Sequence, residues 1–158
     1  LNNNLHIRIA LPEDAFQLAP NLREADKQEV ITSTGKDPLK VIQESLEISS
    51  EAYSIVSPEG QVIGIFGLCA VPDGSLGIPW LLASPEILKH RRHFLSECRG
   101  WIERFQDKHN VLANCVDARN TISIRWLEWC GFQKVQTHQS WGLSNLPFHE
   151  YAKVRAHV

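Results

Sequence analysis

IPWLLASPEILKHRRHFLSECRGWIERFQDKHNVLANCVDARNTISIRWLEWCGF, residues 78–132, changes its hydrophobic period three times, and those changes decide the fold. Ile78 to Ala83 is a short apolar run that reads as a strand, in which Pro79 removes one ladder donor and predicts an edge or a bulge. Ser84-Pro85-Glu86 then reads as the cap of a long helix reaching about Lys108. Leu88, Leu95, Cys98, Ile102 and Phe105 form its apolar stripe, interrupted at Arg91 and widened by Phe94 and Trp101. Val111 to Val116 is a second apolar strand. Asn120 to Trp129 is a second helix, closed by Gly131 and Phe132 in a Schellman-like ending. A strand, a long crossover helix and another strand predict parallel pairing between 78–83 and 111–116.

Upstream, His6 to Ala10 reads as a first strand, and Pro12-Glu13-Asp14 opens a helix with acids in its first turn. Arg23 to Thr34 continues helically and stops at Gly35. Asp37-Pro38 restarts a helix, with Asp as cap and Pro at the first helical position, followed by Leu39, Ile42, Leu46 and Ser49. Ala52 to Val56 and Val62 to Val71 form a hairpin around Ser57-Pro58-Glu59-Gly60, and Pro72-Asp73-Gly74 turns the chain again. Downstream, Lys134 to Trp141 and Phe148 to Arg155 are the last two strands. The order β-α-α-β-β-β-α-β-α-β-β predicts a mixed α/β fold with one central sheet, as a single domain over residues 1–158.

Composition agrees. The 158 residues are 43% apolar and 22% charged, the proportions of an ordinary globular domain. With 16 basic and 18 acidic side chains the net charge is −2, which argues against a bulk nucleic-acid binder. The charges are unevenly placed, however. Lys89-His90-Arg91-Arg92-His93 is one dense basic block, which reads either as a phosphate-binding patch or as a solvated helix face paired with Glu86 and Glu97. No run approaches the roughly 18 apolar residues of a membrane span. LNNNLHIRIA lacks the apolar core of a signal peptide, and a chain that starts at Leu1 and holds no Met predicts trimming of its first residues.

Cys69, Cys98, Cys115 and Cys130 stand 29, 17 and 15 residues apart, without a C-x-x-C, and each lies in an apolar stretch. They read as four buried thiols. The seven histidines do not supply zinc-ligand spacing, so no metal site is expected.

This order of elements resembles the GNAT family, the acyl-CoA-dependent N-acetyltransferases. The most specific match is Asn120-Thr-Ile-Ser-Ile-Arg-Trp-Leu-Glu-Trp-Cys-Gly-Phe132, which is similar to the family's late motif of Asn, a small residue three later and a terminal Gly-Phe. The resemblance covers residues 6–155 and implies a GNAT-like acyl-CoA N-acyltransferase fold, with a central mixed sheet flanked by helices. LREADKQEVITSTGKDPLKVIQESLEIS, GQVIGIFGL, IPWLLASPEILKHRRHFL and NVLANCVDARNTISIRWLEWCGF further resemble a phage subgroup with this fold, which includes internal virion (core) proteins of short-tailed phages. That implies a phage or prophage origin, virion or host proteins as partners, and a place in the virion or the host cytoplasm.

The family's chemistry needs a backbone cradle for the cofactor pyrophosphate, an oxyanion donor and an acid for the leaving thiolate. The family's glycine-rich cradle follows the fourth strand, and here that stretch is Ser84 to His93, without a glycine. Pro85 removes a donor there, and Glu86 adds a negative charge where phosphate would approach. The family often carries Tyr seven residues after the motif Asn, and that position is Leu127. An oxyanion donor remains available from the strand around Leu81-Leu82-Ala83 if the strands splay. No catalytic residue is identified.

Two functions follow from this. The first is a catalytically degenerate scaffold, a structural or interaction protein without a cofactor, in which oligomerisation is open. The alternative is an active N-acetyltransferase that holds acetyl-CoA through Leu82, Ala83, His90, Arg91, Arg92 and Asn120, across a V-shaped opening between the two parallel strands. Asp26 and Glu29 lie where the family often binds acceptors, but as isolated acids they read as surface carboxylates. Trp101, Trp126, Trp129 and Trp141 read as core or interface packing.

Overall fold

A computed structural model describes residues 4–156. Leu1 to Asn3, on which part of the N-terminal reading rests, and His157 lie outside the described residues. The elements are β1 (His6–Ile9), α1 (Asp14–Leu18), α2 (Glu24–Thr34), α3 (Pro38–Ile48), β2 (Glu51–Val56), β3 (Val62–Ala70), β4 (Leu76–Ala83), α4 (Arg91–Lys108), β5 (Val111–Asp117), α5 (Thr121–Trp129), β6 (Gln133–Trp141) and β7 (Leu146–Val154). One seven-stranded sheet runs β1-β2-β3-β4-β5-β7-β6. Every neighbouring pair is antiparallel except β4–β5. No helix among the described residues is long and apolar enough to cross a membrane.

β3 is apolar without alternation because both of its faces are covered. On one face Phe66 and Leu68, with Leu112 and Val116 of β5, pack against Cys98, Ile102 and Phe105 of α4 and Leu127 of α5. On the other, Ile65 and Val62 pack against Ala15 and Leu18 of α1 and Ile42 of α3. α3 begins where Asp37-Pro38 predicts, with the Asp37 carboxylate accepting from Leu39 N–H at 2.9 Å.

Three local expectations are corrected. Pro85–His90 winds as a 3-10 helix, and the α-helix begins only at Arg91. Ile87 N–H bonds back to Ser84 C=O, and in this tighter turn Ile87 lies in the core while Leu88 stays exposed. Pro79 marks neither an edge nor a bulge, since β4 lies inside the sheet. Its missing donor faces the side where the β4–β5 ladder has already ended at Gly77–Leu112. Of the four cysteines, only Cys98 and Cys130 are buried.

The end of α5 follows its sequence signature. Gly131 N–H bonds Glu128 C=O and Phe132 N–H bonds Leu127 C=O, both at 3.0 Å, with Leu127 and Phe132 buried in the same core cluster. Gly131 has φ +90°, so Gly131→Ala is expected to cost about 1–2 kcal/mol through the left-handed backbone alone. Urea unfolding at constant m-value measures it. An unchanged midpoint would show that this turn is not formed in solution.

Candidate functional site

β4 and β5 pair only at Leu76–Val111 and Gly77–Leu112 and then diverge, so the predicted opening exists. Ser84 N–H bonds to β3 at Ile63, whereas Ser75 C=O accepts from Val111 of β5. Backbone groups alternate along a strand, so Gly77, Pro79, Leu81 and Ala83 turn their hydrogen-bonding groups toward the opening. Their fates differ. Pro79 has no donor, and its C=O accepts from the Asn114 side chain at 2.6 Å. Ala83 uses both groups on α2: its C=O accepts from Arg23 N–H at 2.9 Å, and its N–H donates to Asp26 Oδ2 at 3.0 Å. Among the described residues, only Leu81 turns backbone groups toward the opening without a hydrogen-bond partner.

Sequence expectation is corrected at α2, because Asp26 is only 2% exposed and Glu29 is half-buried. Arg23, 8% exposed, grips Asp26 with a two-pronged fork, Nε to Oδ2 at 3.1 Å and Nη2 to Oδ1 at 2.8 Å. The same guanidinium reaches Ser123 Oγ of α5 at 3.2 Å. Asn120 caps α5 by accepting from Ser123 N–H at 3.3 Å. Its amide donates to Glu29 Oε2 at 2.9 Å and Asp26 Oδ1 at 3.4 Å. Asn120 is thus saturated within the protein, and Asp in its place could not donate either bond. Burial, reinforced by the charges of Asp26 and Asp117, pushes the Glu29 carboxyl up to about 7, against the opposing Asn120 bond.

On the other side of the splay lies a cavity of about 360 Å³, walled by Leu81, Ile87, Phe94, Ile122 and Trp126 and rimmed by Arg23, Arg91 and Arg125. Of the six residues proposed from sequence, Ala83 and Arg91 line it. Leu82 packs on the opposite face of the sheet, with α1 and α3. His90 and Arg92 border a separate, shallow surface hollow with Lys89, His93 and Pro58. Asn120 sits behind the Arg23–Asp26 pair, 3% exposed. The basic block is partly neutralised at the surface, where Lys89 pairs with Glu86 at 2.8 Å, and His93 Nδ1 accepts from Leu5 N–H at 3.0 Å. Arg23, Asn114 and Arg125 are the site residues that sequence reading missed. The only signal was the Arg23–Asp26 spacing on one helical turn.

Leu127 is buried, and neither tyrosine lines the cavity; Tyr53 and Tyr151 bond Glu51 and Glu128 at 3.1 Å. Trp101 packs on Tyr53 and Phe66, and Trp126 stacks on Phe94. Trp129 is 44% exposed, with the Arg99 guanidinium 3.9 Å above its ring.

No known protein family's model matches the sequence, and no curated protein matches it either. The fold, by contrast, is similar to solved acetyltransferases of the GNAT family. One from Bacillus anthracis superposes with a TM-score of 0.72 at 12% identity, covering 96% of this chain and 95% of that one. One from Streptococcus pneumoniae gives 0.65 at 16% identity, covering 96% and 100%. The ribosomal-protein-S5-alanine acetyltransferase of Vibrio fischeri gives 0.65 at 15% identity, covering 98% and 94%. The chain therefore has the GNAT acetyltransferase fold over nearly its whole length.

Proposed function

We propose that this chain is a non-catalytic binding protein on a GNAT frame, which works by contact with other proteins rather than by acyl transfer. The observation that carries the reading is the capture of both Ala83 backbone groups by Arg23 and Asp26. An acyl-CoA amide or thioester lying along β4 would have to displace the Arg23 backbone N–H from the C=O, and from the N–H the Asp26 carboxylate of a buried, forked ion pair. Two further features support it. Pro85 and Glu86 stand where donors to a pyrophosphate would be needed, and Leu127 occupies the position of the family's acid. These residues do not fit the cofactor.

The phage-like segments named above favour a phage or prophage gene. They also favour virion or host proteins as partners, in the virion or the host cytoplasm. The alternative, an acetyltransferase using acetyl-CoA, is favoured by one observation, the three arginines around an apolar cavity beside the splay. Calorimetric titration with acetyl-CoA separates the two. No heat of binding up to millimolar ligand is expected, whereas micromolar affinity that weakens in Arg91→Ala and Arg125→Ala would overturn the proposal in favour of the alternative.

A further inference from the structure

β5, β7 and β6 are consecutive in the sheet, and their register puts three unlike donors on one face. Cys115 stands directly opposite Glu150, and His138 opposite Phe148, two residues from Glu150 and so on the same side. The Cys115 sulfur, an imidazole nitrogen of His138 and a Glu150 oxygen all lie within 4.8 Å of one another. His138 Nε2 donates to Glu150 Oε2 at 2.9 Å, and Gln136 holds that same oxygen at 2.7 Å. The His138 ring rests against Trp141, 4.8 Å between centroids, which in turn stacks on Phe148. The donors are therefore carried by rigid strands, and two of the three side chains are already oriented. The side chains of His138 and Glu150 are 30% and 28% exposed, which leaves an ion a path from solvent.

We propose that Cys115, His138 and Glu150 form a binding site for a borderline divalent transition metal, Zn²⁺ above all. Thiolate, imidazole and carboxylate together are the ligand set of zinc, whereas a thiolate disfavours Ca²⁺ and Mg²⁺. Three protein ligands leave a fourth position for water. Tetrahedral bonds of about 2.0–2.3 Å place neighbouring donors roughly 3.5 Å apart, so the widest gap closes by about an ångström through side-chain rotation. Charge balance is simple. The Cys115 thiol proton leaves to solvent, and His138 binds through Nε2 with its ring N–H moved to Nδ1. Glu29 of α2 acts electrostatically on Cys115 and adds negative charge beside the ion once it ionises, above about pH 7. The sequence spacing hid this site, because the ligands are brought together by antiparallel register and not by a local motif. The proposal does not depend on whether the fold is catalytic.

Titration of the metal-free protein with Co²⁺, followed by Zn²⁺, tests it. One equivalent of Co²⁺ is expected to give a near-ultraviolet thiolate-to-cobalt band and the strong visible bands of four-coordinate cobalt, both abolished by Zn²⁺. Cys115→Ser should remove the thiolate band, and His138→Gln should weaken affinity at least about tenfold. Cys69→Ser, a half-buried thiol elsewhere, should change neither, with circular dichroism confirming that each variant is folded. Zn²⁺ should also raise the melting temperature of the native chain but not of Cys115→Ser. Absence of a thiolate band, or a band that survives Cys115→Ser, would overturn the site.

Discussion

Asp26→Ala is expected to lower the unfolding free energy by about 3–5 kcal/mol, the range for breaking one side of a buried ion pair. The cost does not measure how much the intact pair stabilises the fold, since burying two charges offsets most of their attraction. It arises from what is left behind. Arg23, 8% exposed, would keep only Ser123 as a side-chain partner, and the Ala83 N–H would lose its sole acceptor. Asn120 would lose one of its two acceptors. Asp26→Asn keeps the shape and an acceptor oxygen while removing the charge, so it should cost less. A double variant, Arg23→Leu with Asp26→Leu, should recover the part of the loss that comes from the stranded Arg23 charge, giving a measurable coupling in the mutant cycle. Urea midpoints at unchanged m-value for the native chain, Arg23→Leu, Asp26→Leu and the double variant supply the four corners. A loss below about 1 kcal/mol for Asp26→Ala would mean that the pair is solvated and that α2 is not docked on β4. The same contact closes the end of β4, so stability and occlusion of Ala83 rise and fall together.

Where structure follows from local chemistry, the sequence was sufficient. Asp37-Pro38, Gly131-Phe132 and the change of period between 83 and 111 each specify their element within a few residues, because caps and turns are satisfied by neighbours in the chain. The start of α4 was not legible in the same way. Pro85 followed by Leu88 fits a first α-turn and a 3-10 turn alike, and burial of Ile87 against the sheet selects the second. Pro79 misled for a related reason, since a missing donor marks an edge only when a neighbour needs it, and β5 has already splayed away. The carboxylates were least legible. Whether Asp26 and Glu29 face water or protein depends on Asn120, more than ninety residues away in the chain. That contact comes from the tertiary fold and leaves no local pattern in the chain.

Glu29 gives the clearest solution signature of that burial. Its carboxyl is raised from 4.5 to about 7 in the folded chain. At about 1.4 kcal/mol for each pH unit, the full linkage is about 3 kcal/mol. Below about pH 4.5 the group is protonated in both states, and the stability it confers is fully present. Between there and about pH 7 the unfolded chain has released the proton while the folded chain retains it, so stability falls as pH rises. Above about 7 both states are ionised and the loss is complete. Asp14 and Asp117 act in the opposite sense, and their folded-state values lie below the ordinary 3.8, so their contributions vanish only under more acid conditions. The measurement is a difference between two proteins, in which contributions common to both cancel. Glu29→Gln retains an oxygen to accept from Asn120 but carries no charge. Its stability should match the native chain near pH 4.5 and exceed it by about 3 kcal/mol near pH 8. Chemical unfolding at a series of pH values reads this difference directly. Parallel curves for the two proteins would show that Glu29 is solvated, and with it that the Asn120 clamp on α2 is open.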